Sequence, residues 1–414
     1  MQLKENQFEI QGLNVLDICK EFGTPLYVYD ADKIKQQVVN LKQAFKGINL
    51  KIKYASKALT NISILKLIKS YGCEVDVVSM NEAKMAFLAG FKSNQILFTP
   101  SGVAFEEIEE AVEKGLMINI DSIPLLEKFG QKYGNTIPCC FRVNPHIQAG
   151  GNFKIQTGHK DSKFGISILQ MEEVNAIIAK YGIQLVGLHM HTGSDIKEFE
   201  AFIQGAELMF NLAKSHPNLK FIDFGSGFKV PYKKDEEGTD IFALGKLLKE
   251  TYDKFTEEYG KALEIWFEPG KYLVSECGHF FAPANIVKQG PTSAFVGLDS
   301  GLNHLIRPMM YDAYHEIFNV SNPSGELKRY NVVGYICETD NFGWDRELSE
   351  VKPGDIIGLK NAGAYCFSMS SNYNSRVRPA EVLVINGEAK LIRVRETFDD
   401  LINKQVDVFK EVTV

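Results

Sequence analysis

No stretch of this chain stays apolar long enough to span a bilayer. Its first ten residues, MQLKENQFEI, hold no apolar core of signal-peptide length. A cytoplasmic protein without a membrane partner is therefore expected. Basic charge is not in excess either. Lys plus Arg number 46 against 52 Asp plus Glu, the net charge is −6, and there is no basic block. That argues against nucleic acid and against an anionic membrane surface as the main partner. The seven cysteines (19, 73, 139, 140, 277, 337 and 366) are an odd number without metal-ligand spacing, and Cys139 and Cys140 are adjacent rather than CxxC. Reduced thiols are the natural reading. The chain shows no internal repeat and no low-complexity segment, and no GxGxxG turn follows its first candidate barrel strand.

What is present is alternation. At 414 residues the chain suits two domains. Between about residues 51 and 268 come eight short β-rich runs: IKYAS, EVDVVS, ILFT, MINID, CCFRVN, LVGLHMH, FIDFG and IWFEP. Amphipathic stretches such as ISILKLIKSYG and FEEIEEAVEKG separate most of them, each closing on a glycine that suits a helix C-terminus. Eight such units predict a (β/α)8 TIM-type barrel. The stretch from Gly151, GNFKIQTGHKDSKFG, reads as a long loop after the fifth strand. Beyond about residue 275 the runs alternate or carry turns, and Asn386-Gly387 between apolar runs signals a hairpin. The expectation is a barrel over 31–276 and a β-sandwich or β-barrel domain made of 1–30 plus 277–414. The PLYVYD strand would join that domain from the other end of the chain.

In such a barrel the reactive groups sit where strands end. Those ends carry Lys57, Asp76, Arg142, His189, His191, Gly225-Ser226-Gly227 and Glu268. A lysine there can bind an aldehyde cofactor as a Schiff base. Small residues after the seventh strand let backbone N–H groups approach a phosphate. A carboxylate after the eighth can face a protonated ring nitrogen. His189 and His191 are two apart on a strand and share a face, so an HxH zinc site is the alternative. The other six histidines form no partner set, and no metal is expected. A single histidine stacked on a cofactor ring, with Ser194 near its phosphate, fits better.

At this point the motifs YASKA, HMHTGS, DFGSG and EPGK, in this order, resemble the pyridoxal-phosphate decarboxylases of the alanine-racemase fold. GLNHLIRPMMYDAYHEI, CETDNFGWDREL and NAGAYCFSMSSNYNSRVRPAEVLV narrow the likeness to the diaminopimelate decarboxylases. The resemblance runs over nearly the whole chain. It implies pyridoxal 5′-phosphate bound covalently at Lys57, stacked against His191, with its phosphate on Ser194, Gly225, Ser226, Gly227 and Tyr365 and its ring nitrogen on Glu268. It implies substrate contacts from Lys271, Arg307, Tyr311, Glu338 and Tyr365, and a proton donor in Cys337. It further implies decarboxylation of meso-2,6-diaminopimelate to L-lysine, and a homodimer in which Cys337 and Glu338 act across the interface. The rivals are an ornithine- or carboxynorspermidine-type decarboxylase of the polyamine pathway, a non-catalytic cofactor-binding paralogue and a zinc-dependent barrel hydrolase.

Three positions depart from the family pattern: Lys271 stands where an arginine is usual, Ser226 where the central glycine of the phosphate motif is usual, and Asn341 where an acidic residue is usual, with Asp340 one earlier.

Overall fold

Short runs of β-branched, aromatic and other apolar residues form the eight parallel strands of a closed barrel. They are Leu50–Ala55, Glu74–Val77, Ile96–Phe98, Met117–Ile120, Cys139–Asn144, Leu185–Met190, Phe221–Asp223 and Glu264–Phe267. Each pairs in parallel with the next, and the eighth pairs with the first. The expected barrel is present, and each strand lies within or overlaps its expected run. The computed structural model describes residues 1–147, 158–159, 162–197 and 199–409. The loop expected from Gly151 lies mostly outside the described residues.

Local chemistry starts and stops the helices that return the chain to the next strand. Asn61, Ser79 and Asp240 accept hydrogen bonds from backbone N–H groups in the first turns of their helices. Gly182 and Gly260 end theirs in the left-handed region, at φ 64° and 86°. Inside the barrel, Phe221 and Trp266 stack with centroids 3.5 Å apart. Lys53 is buried beside them, its Nζ 4.0 Å from the Trp266 ring centroid and 2.7 Å from Glu74. A lysine withdrawn from water needs both partners to hold its charge.

The chain divides into two compact units, Asp32–Glu276 and Met1–Ala31 with Cys277–Val414. The second is mostly sheet. Leu26–Asp30 lies in the middle of it, parallel to Ala380–Ile385 and antiparallel to Gly278–Gln289. From Gly278–Gln289 the sheet continues through Ala294–Leu298, Leu327–Val333 and Asn341–Ser349. Its other edge is Glu388–Arg393, joined to Ala380–Ile385 by the Asn386-Gly387 turn, with φ of 54° and 73°. Positive φ at both central residues is what a tight hairpin needs. Val28, Phe281, Val382 and Val384 centre the apolar core on one face of this sheet. Sequence reasoning missed a small antiparallel sheet in the first fourteen residues, Gln2–Lys4, Gln7–Ile10 and Leu13–Asn14. Glu5-Asn6 and Gln11-Gly12 make its turns, again at positive φ.

Candidate active site

The barrel strands end in a cluster of ionisable groups, most of them buried. Lys57 follows the first strand, and its Nζ lies 3.3 Å from Oδ2 of Asp76, which is next to last in the second strand and fully buried. Glu268, just past the eighth strand, accepts a hydrogen bond from His189 Nε2 at 3.2 Å. Only an ionised carboxylate's role as acceptor is needed to place that proton on Nε2. Asp223 ends the seventh strand and accepts the Gly225 N–H at 2.8 Å. Arg142, from the fifth strand, lies with its guanidinium 4.7 Å from the Phe164 ring centroid. His191 sits one residue beyond the sixth strand, and its Nδ1 accepts the Ser226 N–H at 3.4 Å.

These neighbours pull the acids apart. Burial raises Asp76 to about 7, and the nearby Glu268 charge adds to the rise, against the pull of Lys57. Burial and the same glutamate push Asp223 well above the usual carboxylate range. Burial also acts to raise Glu268, but His189 and Lys57 outweigh it and bring the group to about 2. Burial lowers the His189 pKa, against the Glu268 charge and hydrogen bond, which pull it up. His191 is lowered to about 3, first by burial and then by the Arg142 and Lys57 charges. One carboxylate therefore stays charged while two neighbours resist ionisation, a separation that assigns different chemical roles to like groups.

Several polar atoms here are buried without a hydrogen-bond partner among the described residues: Glu268 Oε1, His189 Nδ1, Arg142 Nη2 and Asp223 Oδ2. Such groups are costly unless something binds them. Beside them, Gly225 and Gly227 have φ of 63° and 110°. A Cβ on Gly225 would stand 2.6 Å from His191 Nδ1, and one on Gly227 would stand 2.3 Å from the Gly193 carbonyl. Side chains are thus excluded at both positions, and backbone is left to meet a ligand. Ser226, between them, is itself buried. His189, Asp223 and Glu268 also bring donor atoms within 4.8 Å of one another, a set that could hold a cation. Lys271 is bound to both oxygens of Asp195, at 2.8 and 2.9 Å.

Of the other expected residues, Ser194 lies in the barrel unit, and Arg307, Tyr311, Cys337, Glu338 and Tyr365 lie in the second unit. Arg307 opens the short helix Arg307–Tyr311, is buried, and meets His315 Nε2 at 3.3 Å. His315 Nδ1 donates to the Lys360 carbonyl at 2.8 Å, which leaves Nε2 to accept from the guanidinium. Tyr365 lies in the loop after Ile356–Leu359 with φ of 57°. Cys337 is the exposed one of seven free thiols, the other six being buried. Its Sγ is 3.4 Å from Glu338 Oε2 and 3.6 Å from Asn374 Nδ2, while the Tyr373 hydroxyl donates to Glu338 Oε1. Asp340 accepts the N–H groups of Leu302 and Ile336, at 2.7 and 2.9 Å, so it braces this loop. Asn341 points a buried amide with no partner among the described residues.

Sequence reasoning did not single out Asp195, Tyr373 or Asn374. The first follows the HTGS motif directly, and the other two lie inside the NYNSR run. Adjacency to these motifs was the available signal.

Residues 31–275 match the family described as pyridoxal-dependent decarboxylase, pyridoxal binding domain. A diaminopimelate decarboxylase of Methanothermobacter thermautotrophicus is 37% identical over 406 residues, covering 96% of this chain and 95% of that protein. One of Campylobacter jejuni is 37% identical over 394 residues, covering 92% and 96%. Among solved structures, the diaminopimelate decarboxylase of M. jannaschii in complex with L-lysine superposes with a TM-score of 0.91 at 32% identity, covering 98% of this chain and 97% of that one. With the barrel, the lysine at its mouth and the likeness along both units, the chain belongs to the diaminopimelate decarboxylase family of pyridoxal-dependent decarboxylases.

Proposed function

We infer that this protein decarboxylates meso-2,6-diaminopimelate to L-lysine and CO2, the last step of lysine biosynthesis, with pyridoxal 5′-phosphate as cofactor. The observation that carries this reading is the extent of the likeness. It covers 96% of the chain and so includes the sheet unit with Arg307, Cys337 and Glu338, not the barrel alone.

The barrel mouth fits the cofactor. Its bare glycine turn suits a phosphate, its Glu268 oxygen without a partner among the described residues suits a ring N–H, and Lys57 supplies an amine. Bound there, pyridoxal phosphate supplies a sink for the electrons released when the carboxylate leaves the substrate's α carbon. Lys57 would hold the aldehyde carbon, and His191 would lie against the ring. With its pKa lowered to about 3 by burial, His191 would bring no positive charge against a protonated ring nitrogen. Gly225, Ser226 and Gly227, with Ser194 and Tyr365, would bind the phosphate. Glu268, held ionised, would keep a proton on the ring nitrogen.

The substrate's far end is itself an amino acid and needs both an anion and a cation. Glu338 would take its ammonium; Arg307 and Tyr311 would take its carboxylate, with Arg307 aimed by a neutral His315. Lys271 is the further substrate contact of this reading. Cys337 would give its proton to the α carbon after CO2 departs. We further place the protein in the cytoplasm as a homodimer, in which Cys337 and Glu338 serve the partner's barrel. Among the described residues no helix is long and apolar enough to cross a membrane.

A polyamine-type decarboxylase would need only the anion at the far end, since ornithine has no second carboxylate. The test is to supply the reconstituted protein with meso-diaminopimelate and with ornithine in parallel and measure CO2. Release from the first alone is expected. Release from ornithine alone would transfer the chain to the polyamine class.

A further inference from the structure

Asp195 has no part in the chemistry proposed for the barrel mouth, yet its backbone and its carboxylate are both held in a specific geometry. It adopts φ of +63°, a region that non-glycine residues seldom occupy. Its carboxylate holds the Lys271 ammonium with both oxygens, at 2.8 and 2.9 Å, and the lysine side chain is only 10% exposed. Asp195 follows the sixth barrel strand, and Lys271 follows the eighth. The ion pair therefore spans the end of the seventh strand, where Gly225-Ser226-Gly227 lies.

The same segment is bound to that turn. The N–H of Ile196 donates to the Gly227 carbonyl at 2.8 Å, and Ile196 makes a parallel bridge with Phe228. The Thr239 hydroxyl donates to the Ile196 carbonyl at 2.6 Å and accepts the Lys229 N–H at 2.7 Å. The Gly193 carbonyl approaches Gly227 so closely that a Cβ there would sit 2.3 Å away. Residues 193–196 are one wall of the glycine turn, and the Lys271 contact reaches that wall from across the barrel mouth.

We propose that Asp195 is a positioning residue for the cofactor phosphate: by gripping Lys271 it fixes the 193–196 turn against Gly225–Gly227. Lys271 is thereby assigned first to the protein's own aspartate. A salt bridge between partly buried groups with both carboxylate oxygens engaged has the geometry to do this. The inference rests on the reading of residues 225–227 as the phosphate cradle.

The experiment titrates the apo-protein with pyridoxal 5′-phosphate and, separately, with pyridoxal, which lacks the phosphate, following absorbance. Wild type should prefer the phosphorylated form. Asp195→Asn, which keeps the shape and removes the charge, should weaken pyridoxal phosphate binding by about tenfold and leave pyridoxal binding unchanged. Lys271→Met should give the same loss, and it provides the test independently if the asparagine variant folds poorly. The double variant should be no worse than either single one, because both remove one interaction. Asp195→Glu should recover part of the affinity. If wild type prefers the phosphate form and both single variants keep that preference at wild-type affinity, the inference fails while the cradle reading stands. If wild type binds the two forms equally, the cradle reading fails and takes this inference with it. Equal losses for both ligands would make Asp195 a general stabiliser and also overturn the proposal.

Discussion

Glu268 shows how much a single residue's surroundings decide. Glu268, Asp76 and Asp223 lie buried at one barrel mouth, and the groups around them sort them into one that keeps its charge and two that resist ionising. Glu268→Gln preserves the size and the hydrogen bond to His189 but cannot stay anionic. Turnover of diaminopimelate should fall by roughly a hundredfold, as when a preorganised charge is withdrawn from a reacting centre, while cofactor remains bound. Unchanged turnover would mean that the charge at 268 does not serve the reaction. The positions of Lys57, His191, the 225–227 turn and Glu268 were legible in the sequence because each follows a barrel strand within an extended motif. Asp195 was not, since the partner that gives it meaning lies 76 residues away. Asp76 could be placed at a strand end, but its pairing with Lys57, 19 residues earlier, follows only from adjacent strands in register.

At the scale of elements, periodicity and glycine punctuation located all eight barrel strands, and Asn386-Gly387 located the hairpin. The N-terminal sheet escaped because its strands are two to four residues long, too short for alternation to register. The strand Gly278–Gln289 holds a further consequence. His279 is buried beside Phe281, and neither ring nitrogen has a hydrogen-bond partner among the described residues. Burial, then the nearby N-terminal ammonium and Lys360, lowers its pKa well below 6.5. The unfolded chain takes up that proton near pH 6.5 and the folded one resists, so acidification below 6.5 favours unfolding. At pH 7.5 both states are neutral, and His279→Leu gains only by removing an unsatisfied polar group. At pH 5 it should gain on the order of 2 kcal/mol more, because the unfolded state loses its protonation advantage. Thermal unfolding at both pH values checks this: the rise in midpoint should be larger at pH 5. An equal rise at both would mean the ring protonates as readily when folded.

At the scale of the whole molecule, the expected residues are divided between two units, Lys57 in one and Cys337 in the other, 280 positions apart in the sequence. If subunits complete one another's sites, two inactive variants should rescue each other. Lys57→Ala and Cys337→Ala homodimers should both be strongly impaired. Allowed to exchange subunits, they form hybrids with one wholly wild-type site and one doubly defective site. Activity should return on mixing, below the wild-type level. Verified exchange with no gain over the separate variants would confine each site to one chain. The roles proposed for Glu268, His191 and Cys337 all rest on the cofactor being held at the barrel mouth by Lys57. The most direct measurement is to reconstitute the protein with pyridoxal 5′-phosphate, reduce it with borohydride, digest it and locate the fixed cofactor by mass spectrometry. One labelled peptide, modified at Lys57, is expected. A label on any other lysine, or no label after reconstitution, would contradict it.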